Sequence, residues 1–248
     1  MCYNIDMKAL TKKDLEIYAS YLDKGLKGRH LSSPILYTEK VFFFRLSGSP
    51  YSRFVIALDE EAPRIYMANE TASATSVGSH FFDKFKKELI NPYIESVEMV
   101  NDDRILKMNL IVINNVFKEE KINLYIELFP HHPNLIITNK ENKIILAYKQ
   151  SNINDERPIV RGLIYETPKS NGFSLPESSF NPKAYEELCE KEEETLSKKR
   201  KASKFLAVIK GLKNRKRLLE RKVISIDKDI EEASTHLDDG RFGDAIYM

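Results

Sequence analysis

The spacing of apolar residues changes repeatedly along the chain, and each change marks an element. From Leu10 to Leu26, the residues Leu15, Ile17, Tyr18, Tyr21, Leu22 and Leu26 recur at helical spacing, with Thr11 placed as an N-cap and Gly28 just past the end. A helix is predicted there. The pattern then shortens to the β-rich runs Ile35 to Tyr37, Val41 to Leu46, Phe54 to Leu58 and Arg64 to Met67, divided by Ser, Gly, Pro and acidic residues that favour turns. These runs predict an antiparallel meander. From Ser79 to Ile90, Phe81, Phe82, Phe85, Leu89 and Ile90 share one helical face, Lys84, Lys86 and Lys87 lie largely on the other, and Pro92 stops the run. Strand patterns return at Ile94 to Val100, Arg104 to Ile113, Lys121 to Phe129, Asn134 to Thr138 and Ile144 to Tyr148. The body is therefore predicted as α+β and mostly β.

Between Ser151 and Pro182 there are four prolines and little periodicity, which predicts a segment that wraps the surface or links domains. A boundary near residue 180 follows, with a domain over 1–180 and an arm over 181–248. Beyond Pro182 no proline occurs, and a long charged helix is predicted from about Ala184 to Leu237. Phe205, Leu212, Leu219, Ile226 and Ala233 stand seven apart, with Ile209, Val223, Ile230 and Leu237 at the companion positions. This is a coiled-coil seam. Lys216 interrupts it, either specifying register or snorkelling out of the seam. A helix with one apolar seam needs a second helix, expected in cis from a segment outside this chain or in trans.

Composition adds a packed core, since 42% of the residues are hydrophobic, and a net charge of +2 that conceals its own distribution. Acidic residues dominate Glu186 to Glu194 and again Asp227 to Asp239. Between them, Lys198 to Lys222 holds twelve Lys and Arg against the single acidic residue Glu220. Such a block suits either phosphates or an acidic partner helix. Two cysteines, Cys2 and Cys189, are too few for a disulfide framework or a thiolate zinc site, so a reduced, cytoplasmic setting is expected. No apolar run approaches the roughly 20 residues that span a bilayer, and no signal peptide pattern opens the chain.

The usual signals of enzyme chemistry are missing: there is no glycine-rich phosphate loop, no zinc-type spacing and no serine nucleophile elbow. No catalytic residue, metal or cofactor is expected. His131 and His132, beside Pro130 and Pro133, read as turn formers rather than ligands. One constellation stands out, Asn101-Asp102-Asp103-Arg104-Ile105-Leu106 at the entry to a strand. An aspartate there can fix an arginine side chain, leaving its other donors for phosphate or base edges. From the residues alone the commoner role of such a pair at a strand end comes first: a turn cap with a surface ion pair worth under roughly 1 kcal/mol.

Several islands of the sequence resemble the NFACT N-terminal domain of the RqcH and NEMF proteins of ribosome-associated quality control. They are Asp6 before the first helix, Pro63-Arg64-Ile65-Tyr66, the basic helix Phe85 to Leu89 leading into Asp103-Arg104-Ile105-Leu106, the stretch Glu127 to Ile136, and Arg157 with Gly162, Tyr165 and Pro168. They follow one another in the family's order from about Ile5 to Pro168, and the predicted arm stands where the family has its coiled coil. The resemblance implies a fold similar to the N-terminal domain of formamidopyrimidine DNA glycosylases. It also implies that Asp103 and Arg104, with Asp6 and Arg64, hold tRNA. For the arm, Lys198, Lys199, Arg200, Lys201, Lys213, Arg215, Lys216 and Arg217 are then expected to face an anionic partner. Full-length members bind an obstructed large ribosomal subunit and recruit tRNA so that tails, alanine tails in bacteria, are added to the stalled chain. Three departures are visible: Asp6 is followed by Met7, no helix-hairpin-helix module separates residue 170 from the coiled coil, and the family's C-terminal domain is absent here.

The expectation is thus a non-enzymatic RNA-binding module that contacts tRNA and the large ribosomal subunit. Family members also carry a fibronectin-binding label, which makes a surface adhesin the alternative. A nucleic-acid glycosylase or lyase ranks third, because Met1-Cys2-Tyr3 lacks the N-terminal proline and glutamate that such enzymes use.

Overall fold

A computed structural model describes residues 9–69, 79–113, 117–169 and 179–246, with side chains described throughout except at 199–204 and 236–246. Asp6 lies outside the described residues. The chain opens with helix α1 (Lys12–Leu26), which starts where its capping chemistry dictates. The Thr11 hydroxyl accepts from the Asp14 backbone N–H at 3.3 Å, and the Asp14 carboxylate accepts from the Thr11 N–H at 3.0 Å, closing a capping box. Leu15, Tyr18, Ala19, Leu22 and Leu26 form the buried stripe. Ile17 falls off that stripe and is exposed.

Strands β1 (Ile35–Thr38), β2 (Val41–Arg45), β3 (Arg53–Ala57) and β4 (Arg64–Ala68) form the predicted antiparallel meander, in the order β1-β2-β3-β4. β3 and β4 are buried along their whole length instead of alternating, because both faces of this sheet are covered. On one side, helix α2 (His80–Glu88) stacks Phe81, Phe82 and Phe85 around Phe42, with ring centroids 5.7 to 6.1 Å apart. Toward α1, Met67 of β4 comes so close to Gly25 that an added Cβ would lie 3.3 Å from the methionine methyl. A larger residue at 25 would have to displace it.

The second sheet, β5 (Tyr93–Met99), β6 (Ile105–Ile113), β7 (Glu119–Glu127), β8 (Asn134–Asn139) and β9 (Ile144–Ala147), is also a consecutive antiparallel meander. Burial alternates along β6, while the second half of β7 and nearly all of β8 are buried on both faces. Leu106, Met108, Leu110 and Val112 of β6 join Ile122, Leu124, Ile126, Leu135 and Ile137 in the main core shared with the first sheet. Ile105, Tyr125 and Ile136 point the opposite way, into a second small core completed by Ile144, Ala147, Ile159 and Tyr165. Residues 151–169 of the proline-rich segment wrap the sheet, one of the two roles expected of it: the Ile144 N–H donates to the Leu163 carbonyl at 2.8 Å and the Gly162 N–H to the Ile144 carbonyl at 2.8 Å. These bonds cover the exposed edge of β9.

Helix α3 (Pro182–Ile246) is continuous through 65 residues. The compact unit ends at Glu192, later than the boundary near 180 that composition suggested, because Tyr185, Glu186 and Cys189 in the first turns of α3 are buried in it. The second unit, from Glu193, is the remainder of the helix. Its seam residues are exposed: Leu212 is 62% accessible, Leu219 56%, Ile226 55% and Ile230 58%. Among the described residues, no helix is long and apolar enough to cross a membrane.

Candidate nucleic-acid interface

The β5–β6 turn carries Asp103 and Arg104. Asn101 and Asp102 both take left-handed backbone conformations, φ 60° and 48°, which short polar side chains tolerate better than most. That geometry decides where the Asp103 carboxylate goes: it accepts from the Arg104 backbone N–H at 2.7 Å. Asp103 is thus a turn cap, one of the two roles read from the sequence, and the other, a carboxylate grip on the Arg104 side chain, is not what orients the arginine. An aromatic ring does that instead. The Arg104 guanidinium carbon sits 5.4 Å from the ring centroid of Phe129, and the Arg104 carbonyl accepts from the Leu128 N–H at 2.9 Å. Among the described residues the half-buried Arg104 side chain has no ion pair, so its N–H donors are uncommitted. The neighbouring Asp102 carboxylate is neutralised by Lys12 at the start of α1.

Below this turn lies a buried lock. Glu127, at the end of β7 and 3% exposed, accepts from the Tyr165 hydroxyl at 2.8 Å and forms an ion pair with Arg157. Arg157 also donates to the Glu166 carbonyl at 2.6 Å and lies over the Tyr165 ring, while Asn101 reaches across to the Pro168 carbonyl at 2.5 Å. The wrapping segment is thereby tied to the tip of the sheet that holds Arg104. Burial first, and then the charge of Glu127, push the Tyr165 phenol well up, so it stays a neutral donor. Lys107 lies on the same outer face, 5.9 Å over Tyr125, but Glu98 already neutralises it at 3.3 Å.

Arg64 is a correction. Only 5% exposed, it is paired with Asp59 at 2.9 Å and with Glu192 of α3 at 3.6 Å, so its guanidinium has no path to an RNA phosphate. Its role is to hold the beginning of α3 against β4. Of the basic arm residues, Lys198 pairs with Glu194 at 2.5 Å and Lys216 with Glu220 at 3.7 Å, both one helical turn apart. Lys213, Arg215 and Arg217 are exposed. The side chains of Lys199, Arg200 and Lys201 lie outside the described residues. His131, with φ 66°, forms the β7–β8 turn and donates its N–H to the Glu60 carbonyl at 2.5 Å, in line with the turn-forming role expected of the pair.

A polar cluster that sequence reasoning missed surrounds Glu186. Its carboxylate accepts from the hydroxyls of Tyr18 at 2.8 Å and Tyr21 at 3.2 Å and from the Met67 N–H at 3.4 Å. Burial pushes this carboxyl up from its ordinary value against the opposing pull of those donors. Cys189, one turn further on, is fully buried, and its thiol is pushed up to about 12 by burial. It is an inert packing residue rather than a nucleophile. The partners of Glu186 are more than a hundred residues away, and no local pattern announces them.

The model of a family described as NFACT N-terminal and middle domains matches residues 38–237. Among curated relatives, the "Rqc2 homolog RqcH" of Streptococcus pneumoniae is 28% identical over 128 residues, half of this chain and 23% of the relative. The protein of the same name from Bacillus subtilis is 24% identical over 157 residues, 62% of this chain and 28% of the relative. The matched part of the chain thus spans about a quarter of the length of these relatives. Among solved structures, the N-terminal domain of the fibronectin-binding protein PavA from S. pneumoniae superposes with a TM-score of 0.61 at 22% identity, covering 72% of this chain and 71% of that one. The N-terminal part of the fibronectin/fibrinogen-binding protein of Streptococcus suis gives 0.61 at 20% identity, covering 66% and 62%. The fold of the body is the fold of those domains, and with a family model matched over most of its length, this chain belongs to the family of NFACT N-terminal and middle domains.

Proposed function

We propose that this chain is an RNA-binding component of ribosome-associated quality control, one that holds tRNA on an obstructed large ribosomal subunit and supports C-terminal tailing of the stalled chain without hydrolytic chemistry of its own. The observation that carries this reading is Arg104: a guanidinium braced on Phe129, with its hydrogen-bond donors uncommitted, at the sheet tip fastened by Glu127, Arg157 and Tyr165. A planar fork held by an aromatic face is pre-organised for a phosphate, which the guanidinium can bind through two parallel hydrogen bonds. The basic stretch of α3 supplies a longer-range attraction to the same polyanion.

Sucrose-gradient sedimentation tests the reading. The tagged chain should travel with large ribosomal subunits bearing peptidyl-tRNA and should carry tRNA with it. Sedimentation at the top of the gradient, free of tRNA, would count against it.

A second reading draws on the printed names of the solved relatives, which are fibronectin-binding and fibrinogen-binding proteins. It makes the chain an adhesin. Immobilised fibronectin should then retain the purified chain in physiological salt, and the Arg104→Ala variant should bind it as well as the parent does.

A further inference from the structure

We propose that a groove in the body, at the opposite end of β6 from Arg104, binds a peptide segment in which an apolar side chain stands next to a carboxylate. The groove holds about 760 Å³, a volume in the range of ligand pockets, where the end of β2, the segment at His30, the residues after α2 and the end of β6 meet. Three of the few large apolar side chains that the body leaves exposed lie together there. Ile90 and Ile113 are each at least half accessible, and Phe117 is 92% accessible. Phe117 also holds a left-handed backbone, φ 58°, which an aromatic residue rarely adopts. An apolar cluster of this kind at the rim of a groove marks a place where a partner is bound.

The charge in the groove says what sort of partner. Arg45 ends β2 as its one exposed residue after four buried ones. Its backbone N–H is taken by the Ser32 hydroxyl at 2.9 Å, but among the described residues its guanidinium has neither an ion pair nor a hydrogen bond. The residue directly opposite it on β3 is a second arginine, Arg53, so the neighbouring position supplies no carboxylate. No acidic side chain lines the groove either. A carboxylate seated on Arg45 would meet a planar fork of donors and no competing negative charge, while an aliphatic side chain beside it would be taken out of water by Ile90 and Ile113.

A nucleic-acid strand fits this groove less well. Such a strand needs a row of cations along its backbone and aromatic faces under its bases. Here the free guanidinium stands alone, and the His30 ring is already occupied, with Nδ1 3.3 Å from the Asn91 carbonyl and the ring edge-on to Tyr93 at 5.2 Å. An acidic peptide with aliphatic side chains matches both halves of the lining. The inference rests on neither functional reading given above.

Fluorescence anisotropy on the full chain tests it with three labelled probes: a peptide of alternating leucine and aspartate, its leucine and lysine counterpart, and an oligouridylate. The basic stretch of α3 attracts any polyanion, so the response to substitutions in the groove is the readout. The parent should bind the aspartate peptide, and Arg45→Glu and Ile113→Ser, both at exposed positions, should each weaken that binding about tenfold or more. Arg45→Glu should in turn gain affinity for the lysine peptide, because the attraction is reversed in sign. An aspartate peptide that fails to bind the parent up to about 1 mM, or that binds Arg45→Glu as well as the parent, would overturn the proposal. Oligouridylate binding that falls in both variants while the aspartate peptide is unaffected would assign the groove to RNA and overturn it too.

Discussion

The body and the arm use apolar residues in opposite ways. In the body, from Leu10 to Glu192, two antiparallel sheets and two short helices direct nearly every large apolar side chain into one of two cores, and Phe42, Phe44, Phe54 and Phe85 are completely inaccessible. In the arm, from Glu193, the apolar residues form a stripe that remains exposed on a continuous helix. One region owes its order to contacts already made. In the other, the apolar side chains described between Leu212 and Ile230 stay exposed along one continuous helix.

The sharpest way to break the comparison is truncation. Phe85→Ala should destabilise the body by about 3–5 kcal/mol, the usual cost of emptying a buried aromatic site. Leu218→Ala, on the arm and off its seam, should stay within about 0.5 kcal/mol. Urea unfolding followed by tyrosine fluorescence, suited to a chain with twelve tyrosines and no tryptophan, measures both. Comparable losses in the two variants would refute the contrast.

A second test addresses the place where the regions share a helix. The Glu186 carboxyl is raised in the folded state by burial, so its contribution favours folding fully below its ordinary value of 4.5 and is lost as pH climbs through the folded-state value. The advantage in melting temperature of the parent over Glu186→Gln should therefore shrink as pH rises above about 4.5. A difference that stays constant with pH would show that this carboxyl does not titrate with folding.

The smallest effect belongs to Gly211, inside the arm helix with open space where a Cβ would go. Gly211→Ala should raise helix stability by about 0.5–1 kcal/mol, seen as increased ellipticity at 222 nm and slower proteolysis. A loss of helicity would mean that this position is packed against something.

Wherever periodicity reports burial, the elements were legible in the sequence. The alternation of β6 and the aromatic face of α2 express contacts that repeat every second or every third to fourth residue, and the N-cap at Thr11 shows in its residue type. The placement of charged groups was not, because their partners are distant in sequence. Arg64 reads as an exposed strand arginine until Glu192 closes over it, and Glu186 reads as part of a solvated acidic block until the tyrosines of α1 meet it. The wrap over 151–169 has no period of its own and takes its shape from Glu127. Asp103 and Arg104 stand out in the sequence with two roles open, a turn cap or a side-chain grip; the left-handed turn directs the carboxylate to the backbone as a cap and leaves Phe129 to brace the arginine.

The central claim, that Arg104 presents its guanidinium to RNA, is tested most directly by the salt dependence of tRNA binding to the parent and to Arg104→Ala. The variant should bind about tenfold more weakly, a loss of about 1.4 kcal/mol, with a salt dependence shallower by about one phosphate contact. Equal affinity and equal slope for the two proteins would contradict the account.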